Sequence, residues 1–138
     1  MVRFFTENIS FDIKNKSKIK HWINDVVKWE NKNIGDINFI FCSDKYLLTI
    51  NKDYLKHDYF TDVITFDFCD GKKISGDIFI SIDTVRANSV EYKQLFDEEL
   101  HRVMIHGVLH LCSYQDSTKQ ESALMRSKEN IYLKKLII

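Results

Sequence analysis

The stretch VITFDFCDGKKISGDIFIS, Val63 to Ser81, decides how this chain folds. VITFDF (Val63–Phe68) and GDIFIS (Gly76–Ser81) are rich in β-branched and aromatic residues, and between them CDGK (Cys69–Lys72) carries the Asp-Gly chemistry of a tight turn. The stretch predicts a hairpin. Downstream the period changes: a helix is expected from Ile82 through Val85 towards Val90, and a second, more apolar one over Phe96–Leu111. A short polar loop then leads to a charged helix from about Thr118 to Leu136. Upstream, Asp44–Leu55 reads as a short helix and DINFIFC (Asp36–Cys42) as a strand. Ile19, Trp22, Ile23, Val26, Val27 and Trp29 recur at helical spacing over Ser17–Trp29, with Ser17 as the candidate cap. VRFFTENI (Val2–Ile9) alternates imperfectly and predicts a first strand. The expected fold is a single α+β or α/β domain. Its small mixed four-stranded sheet has strands near 2–9, 36–42, 63–68 and 76–81, with helices packed on it.

Composition agrees with one compact unit. A chain of 138 residues buries roughly 70% of its unfolded surface, and 44% hydrophobic with 29% charged residues excludes disorder and fibrous structure. Twenty Lys and Arg balance twenty Asp and Glu, so bulk charge does not recommend the chain to nucleic acid. The first helix carries Lys16, Lys18, Lys20 and Lys28 on its outer face, diluted by Asp25 and Glu30. A solvated face is the plainer reading of that row, and contact with an RNA backbone the other. Cys42, Cys69 and Cys112 form no CxxC pair, which argues against a disulfide framework or a thiolate zinc knuckle. There is no membrane-length apolar run and no cleavage site after MVRFFTENIS, so a cytoplasmic location is expected. Four glycines and no proline leave many turns to Asn and Asp.

The chemistry is concentrated in EELHRVMIHGVLHLCSYQD, Glu98 to Asp116. His106 and His110 are four apart and therefore share a helix face, one turn from each other. Asp116 follows six residues later, where a chain that ends its helix near Cys112 or Ser113 can turn back. Two imidazoles and a carboxylate suit Zn²⁺ with a fourth position open. The histidine pair alone is a weak signal, and its neighbours Val103, Met104, Val108, Leu109 and Leu111 read as core. His101 points away from His106 and reads as a surface residue. Gly107 stands where an H-E-x-x-H peptidase carries its glutamate, so a zinc peptidase would lack its usual base. A mid-helix glycine costs about 1 kcal/mol relative to alanine. Close packing on a strand, or access to the metal, would account for it.

HGVLHLCSYQD (His106–Asp116), NKDYLKHDYFTDVITF (Asn51–Phe66) and GDIFI (Gly76–Ile80) together resemble three ordered segments of the YbeY family, bacterial endoribonucleases of rRNA maturation. The resemblance implies a zincin-like core with its metal-site helix over 96–112. It also implies a divalent ion, Zn²⁺ with Mn²⁺ or another ion as alternatives, held by His106, His110 and, in place of the family's third histidine, Asp116. The family's Gly before Tyr is Ser113 here, its arginine implied in RNA cleavage is Leu55, the following lysine is His57, and the proline before Thr61 is Phe60. Leu55 cannot neutralise a phosphate, so Lys56 and His57 become candidates for the missing positive field, with Asp58 beside them in the matching loop. These three are the catalytic candidates, and no general base is assigned. Asp62 and Thr61 read as turn or cap residues, or as the wall of the metal site. Asn51 and Tyr54 are expected to order the short helix and its loop, and Asp77 to support the fold or stand at the site's rim. The implied partners are rRNA and ribosomal particles, with a ribosomal protein or ribosome-associated GTPase as presenter, and no membrane. Two other classes stay open: a ribosome-associated RNA-binding maturation factor with a structural metal, and a metal-dependent hydrolase of another substrate.

Overall fold

In the computed structural model, which describes residues 1–57, 59 and 61–138, the elements follow the expected order. They are β1 (Val2–Glu7), α1 (Lys16–Trp29), β2 (Asn33–Cys42), α2 (Asp44–Leu55), β3 (Val63–Asp67), β4 (Lys73–Ser81), α3 (Ile82–Glu91), α4 (Phe96–Leu111) and α5 (Lys119–Leu133). The sheet runs β1-β2-β4-β3, with β1, β2 and β4 parallel and β3 antiparallel to β4. It is the mixed four-stranded sheet expected, with the hairpin at one edge.

Alternation along the strands separates two faces. Phe39 and Phe41 of β2 with Ile78 and Ile80 of β4 point into the main core, where Ile23 and Val27 of α1, Val85 of α3 and Met104 and Val108 of α4 meet them. Each such side chain contributes roughly 1.5–3 kcal/mol by leaving water. Cys42 and Ile64 point to the other face and are covered by Leu47 of α2. The apolar richness of Phe96–Leu111 has a direct cause: α4 is buried almost all round, crossing β4 and β3 while contacting α1, α3 and α5. Gly107 makes that crossing close, because a Cβ there would stand 2.8 Å from Ile78 Cγ2. Its cost is the cost of seating a helix on a strand.

Several boundaries and placements differ from expectation. β2 begins at Asn33 and β4 at Lys73, because the two strands pair beyond their apolar segments. Ser17 is not the cap of α1; Asn15 occupies that position at φ 60°, a left-handed conformation that asparagine tolerates. α5 ends at Leu133, and its start is a full capping box between Thr118 and Glu121. His101 is half-buried edge-to-face against Trp22, and burial pulls its pKa down, so it is not a surface residue. Asp77 lies on the sheet face opposite α4, accepting from Asn38 Nδ2 at 3.0 Å, and supports the fold. Among the described residues no helix is long and apolar enough to cross a membrane.

Candidate metal centre

The last turns of α4 carry His106 and His110, whose ring centroids lie 4.5 Å apart and nearly perpendicular. After Cys112 the chain reverses through Ser113 at φ 83°. Ser113 N–H donates to His110 O and Tyr114 N–H to Leu109 O, each at 3.0 Å. This is a Schellman stop with serine where glycine is favoured. The reversal returns Asp116 to the helix face: its Oδ2 lies 3.2 Å from His106 Nε2 and 3.3 Å from His110 Nε2, and the two Nε2 atoms are 3.0 Å apart. Among the described residues these three form the group whose donor atoms all lie within 4.8 Å of one another. Tetrahedral bonds of about 2.0–2.1 Å put ligand atoms roughly 3.3 Å apart, which this triangle matches. Ser113→Gly removes the left-handed penalty of an L-residue and is expected to stabilise the protein by about 0.5–1 kcal/mol, read from urea unfolding with unchanged metal affinity.

The donor set calls for a cation. His106 Nδ1 lies 2.6 Å from Glu129 Oε2, and His110 Nδ1 lies 3.0 Å from the carbonyl of Tyr114. Carboxylate and carbonyl only accept, so both Nδ1 atoms carry protons and both rings turn Nε2 towards Asp116. Three electron-rich atoms at van der Waals distance repel unless a positive ion lies among them. Burial draws the His106 pKa down, but the bond and charge of Glu129, with Asp116 and Asp62, outweigh this and raise it.

Two glutamates that sequence reasoning missed support the histidine pair, Glu129 by direct contact with His106 and Glu30 by way of Tyr114. Glu129, only 4% exposed, also accepts from Arg102 Nη1 at 2.9 Å, and Arg102 Nη2 reaches Asn130 Oδ1 at 2.9 Å. Burial pushes the Glu129 carboxyl up, but His106 and Arg102 together bring it below its ordinary range. The signal was an acid at an apolar-face position of α5, four after Met125 and three before Tyr132.

Glu30, read as diluting the lysine row, instead turns inward at the end of α1. It accepts from Tyr114 Oη at 2.7 Å, Lys128 Nζ at 3.1 Å and Tyr132 Oη. An acid at a helix C-terminus opposes the helix dipole and so announces a partner. Through Tyr114, Glu30 fixes the carbonyl that orients His110. Burial raises its pKa, yet the hydrogen bonds of Tyr132, Tyr114 and Lys128 set it below the reference 4.5. A carboxyl depressed on folding contributes stability above its unfolded pKa and loses it as pH falls through the folded value. Glu30→Gln should therefore be less stable than wild type at neutral pH, with the gap closing below about pH 4.5 in melts taken across pH 7 to 3.

Two cavities meet at this centre. One, of about 470 Å³, is bounded by His106, His110 and Asp116 on one side and by β3 with Leu55, His57, Tyr59, Thr61 and Asp62 on the other. The second, of about 380 Å³, is bounded by Glu99, Arg102, Arg126 and Glu129 with His106 and Asp116. Asp62 lines both, and burial holds its pKa above the ordinary range despite His106 and two backbone amides. It precedes β3, as a turn residue would, and also walls the site; Thr61 lines the larger cavity too.

His57 stands at the rim of that cavity, exposed, its ring stacked on Tyr59 and its Nδ1 3.0 Å from Tyr59 Oη. Lys56 caps α2 at φ 60°, is exposed, and does not line the cavity, so it is not brought to the His106–His110–Asp116 group. Asp58 and Phe60 lie outside the described residues. Leu55 lines the cavity. Buried Asn51 donates to Tyr59 O at 2.9 Å and orders the loop, while Tyr54 packs edge-on against Phe66.

Comparison with known proteins agrees with this architecture. The family model described as Endoribonuclease YbeY matches residues 3–137. A protein named Endoribonuclease YbeY from Flavobacterium psychrophilum is 52% identical over 130 residues, covering 94% of this chain and 93% of that protein. Its namesake from Phocaeicola vulgatus is 47% identical over 130 residues, covering 94% of each. The solution structure of TM1509 from Thermotoga maritima superposes with a TM-score of 0.70 at 27% identity, over 99% of this chain and 89% of that one. With the family model matched almost end to end and half of all positions shared with curated members, this chain belongs to the YbeY family.

Proposed function

We propose that this chain is a metal-dependent endoribonuclease of rRNA maturation and ribosome quality control, its 138 residues forming one hydrolase domain. The single observation that carries the reading is the convergence of His106 Nε2, His110 Nε2 and Asp116 Oδ2 at the mouth of an open cavity, in a chain of this family. These three residues would hold a divalent ion, zinc by the match of donor types and spacing, with Mn²⁺ favoured more than at an all-histidine site because of the carboxylate. Such an ion supplies a Lewis acid for charge developing on a phosphate oxygen.

The protein's own groups do the rest. Glu129 and the Tyr114 carbonyl keep the imidazoles in one tautomer and orientation. Asp62, next to His106 in a site that raises its pKa, is placed to exchange a proton with a group in either cavity. His57 at the rim donates to phosphate, with Asp58 as the weaker candidate, whereas Lys56, which does not line the cavity, takes no part. The substrate is rRNA on cytoplasmic ribosomal particles, presented by a ribosomal protein or ribosome-associated GTPase. Leu55 favours a second reading: with no guanidinium in the cavity wall, the chain would bind ribosomal RNA as a maturation factor and its metal would be structural.

Incubation of metal-loaded and chelator-treated protein with single-stranded and ribosomal RNA separates the two. Metal-dependent cleavage supports the enzyme. RNA left intact with and without ribosomal particles, by a protein that still binds them, supports the factor.

A further inference from the structure

β3 is an outer strand, so one of its edges has no neighbour in the sheet. Two hydrogen bonds fix which backbone groups point there: Ser81 N–H donates to Asp62 O and Phe68 N–H donates to Ser75 O, both at 2.9 Å. In an antiparallel ladder, residues two apart turn their groups to the same side. Asp62, Ile64, Phe66 and Phe68 therefore face β4, and Val63, Thr65 and Asp67 turn N–H and C=O outward. The Val63 N–H is taken by the carboxylate of Asp62, whereas Thr65 has no other partner among the described residues. Buried backbone groups are almost always paired, so a half-buried edge of this kind stands ready for a ligand.

The edge opens into the cavity of about 470 Å³ that holds His106, His110 and Asp116. That volume accommodates a nucleotide. Thr65 offers one donor and one acceptor side by side, the complement of a nucleobase edge. The stacked His57–Tyr59 pair stands on the same wall and offers a ring face. Unpaired RNA is recognised by such hydrogen bonds and stacking.

We propose that the free edge of β3, through the outward N–H and C=O of Thr65, holds one unpaired base of the RNA strand beside His106, His110 and Asp116. The inference rests on the endoribonuclease reading and adds a base-holding element to it. It gives a cavity whose described lining holds no arginine a hold on the base, beside the phosphate contact of His57.

The test uses the full metal-loaded chain and a fluorescent single-stranded oligoribonucleotide whose cut site has been mapped. An ester at position 65, introduced by an α-hydroxy acid, replaces the outward N–H with oxygen and leaves the ladder to β4 intact. Thr65→Pro removes the same donor at an edge position where proline is tolerated. Either change should lower kcat/KM by about tenfold at unchanged metal content. A single abasic nucleotide beside the cut should cost wild type a similar factor, and the variants should lose nothing further on that abasic RNA. Variants that cut intact RNA at the wild-type rate, or losses that multiply on the abasic strand, would overturn the proposal while leaving the nuclease reading standing. Wild type that neither cuts nor binds the oligonucleotide removes that reading and this inference together.

Discussion

His110→Ala is expected to abolish tight divalent-ion binding and to lower RNA cleavage by at least about 10³-fold, with little change in the fold. The ring is half-exposed at the end of α4, so truncation leaves no closed cavity in the core. What it removes is one of three donors that share a triangle with edges of 3.0, 3.2 and 3.3 Å. The two atoms left, His106 Nε2 and Asp116 Oδ2, define a pair such as any surface offers, and two-point sites retain zinc poorly. Metal content after gel filtration, circular dichroism and cleavage rate together check this. A variant with full metal content and wild-type cleavage would show that His110 is not a ligand.

Glu129→Ala should produce the largest loss of stability. The carboxylate is nearly buried and satisfies His106 Nδ1 and Arg102 Nη1 at once, with Arg126 Nη1 at 3.9 Å. Removing one partner of a buried charged pair strands the other, at a cost of about 3–5 kcal/mol. It also frees the His106 ring to rotate, and loss of such an orienting partner typically weakens metal binding by about 10–100-fold. Glu129→Gln keeps the shape but sets an amide N–H₂ against either His106 or Arg102, so it should recover packing without recovering affinity. Urea unfolding of the metal-free proteins gives the first number and chelator competition the second. A stability change under 1 kcal/mol with unchanged affinity would mean that Glu129 is a bystander.

The legible parts of this molecule were those encoded over short range. α4 could be placed to the residue because its apolar positions repeat on every face between a polar start and a serine stop, and the hairpin because Asp70-Gly71 separates two β-rich runs. The convergence of His106, His110 and Asp116 was legible for the same reason, as all three lie within eleven residues and one reversal. Strand starts were missed at Asn33 and Lys73, where pairing between β2 and β4 overrides weak local preference. The groups that hold the site were illegible for a stronger reason. Glu129 meets His106 across 23 positions and Glu30 meets Tyr114 across 84, and spacing along a chain says nothing of contacts that only tertiary packing creates. His101 was misplaced likewise, since Trp22, which covers it, belongs to another helix.

The central claim is that His106, His110 and Asp116 act together as the ligands of one ion. Its most direct test is the metal stoichiometry of the zinc-loaded protein after removal of free metal, measured side by side for wild type and Asp116→Ala, each with its circular dichroism spectrum. One zinc per chain in wild type, falling well below half in a variant of unchanged helix content, is the expected result. A wild type that takes up neither zinc nor manganese, or an Asp116→Ala protein that holds its full equivalent as tightly, would contradict the claim.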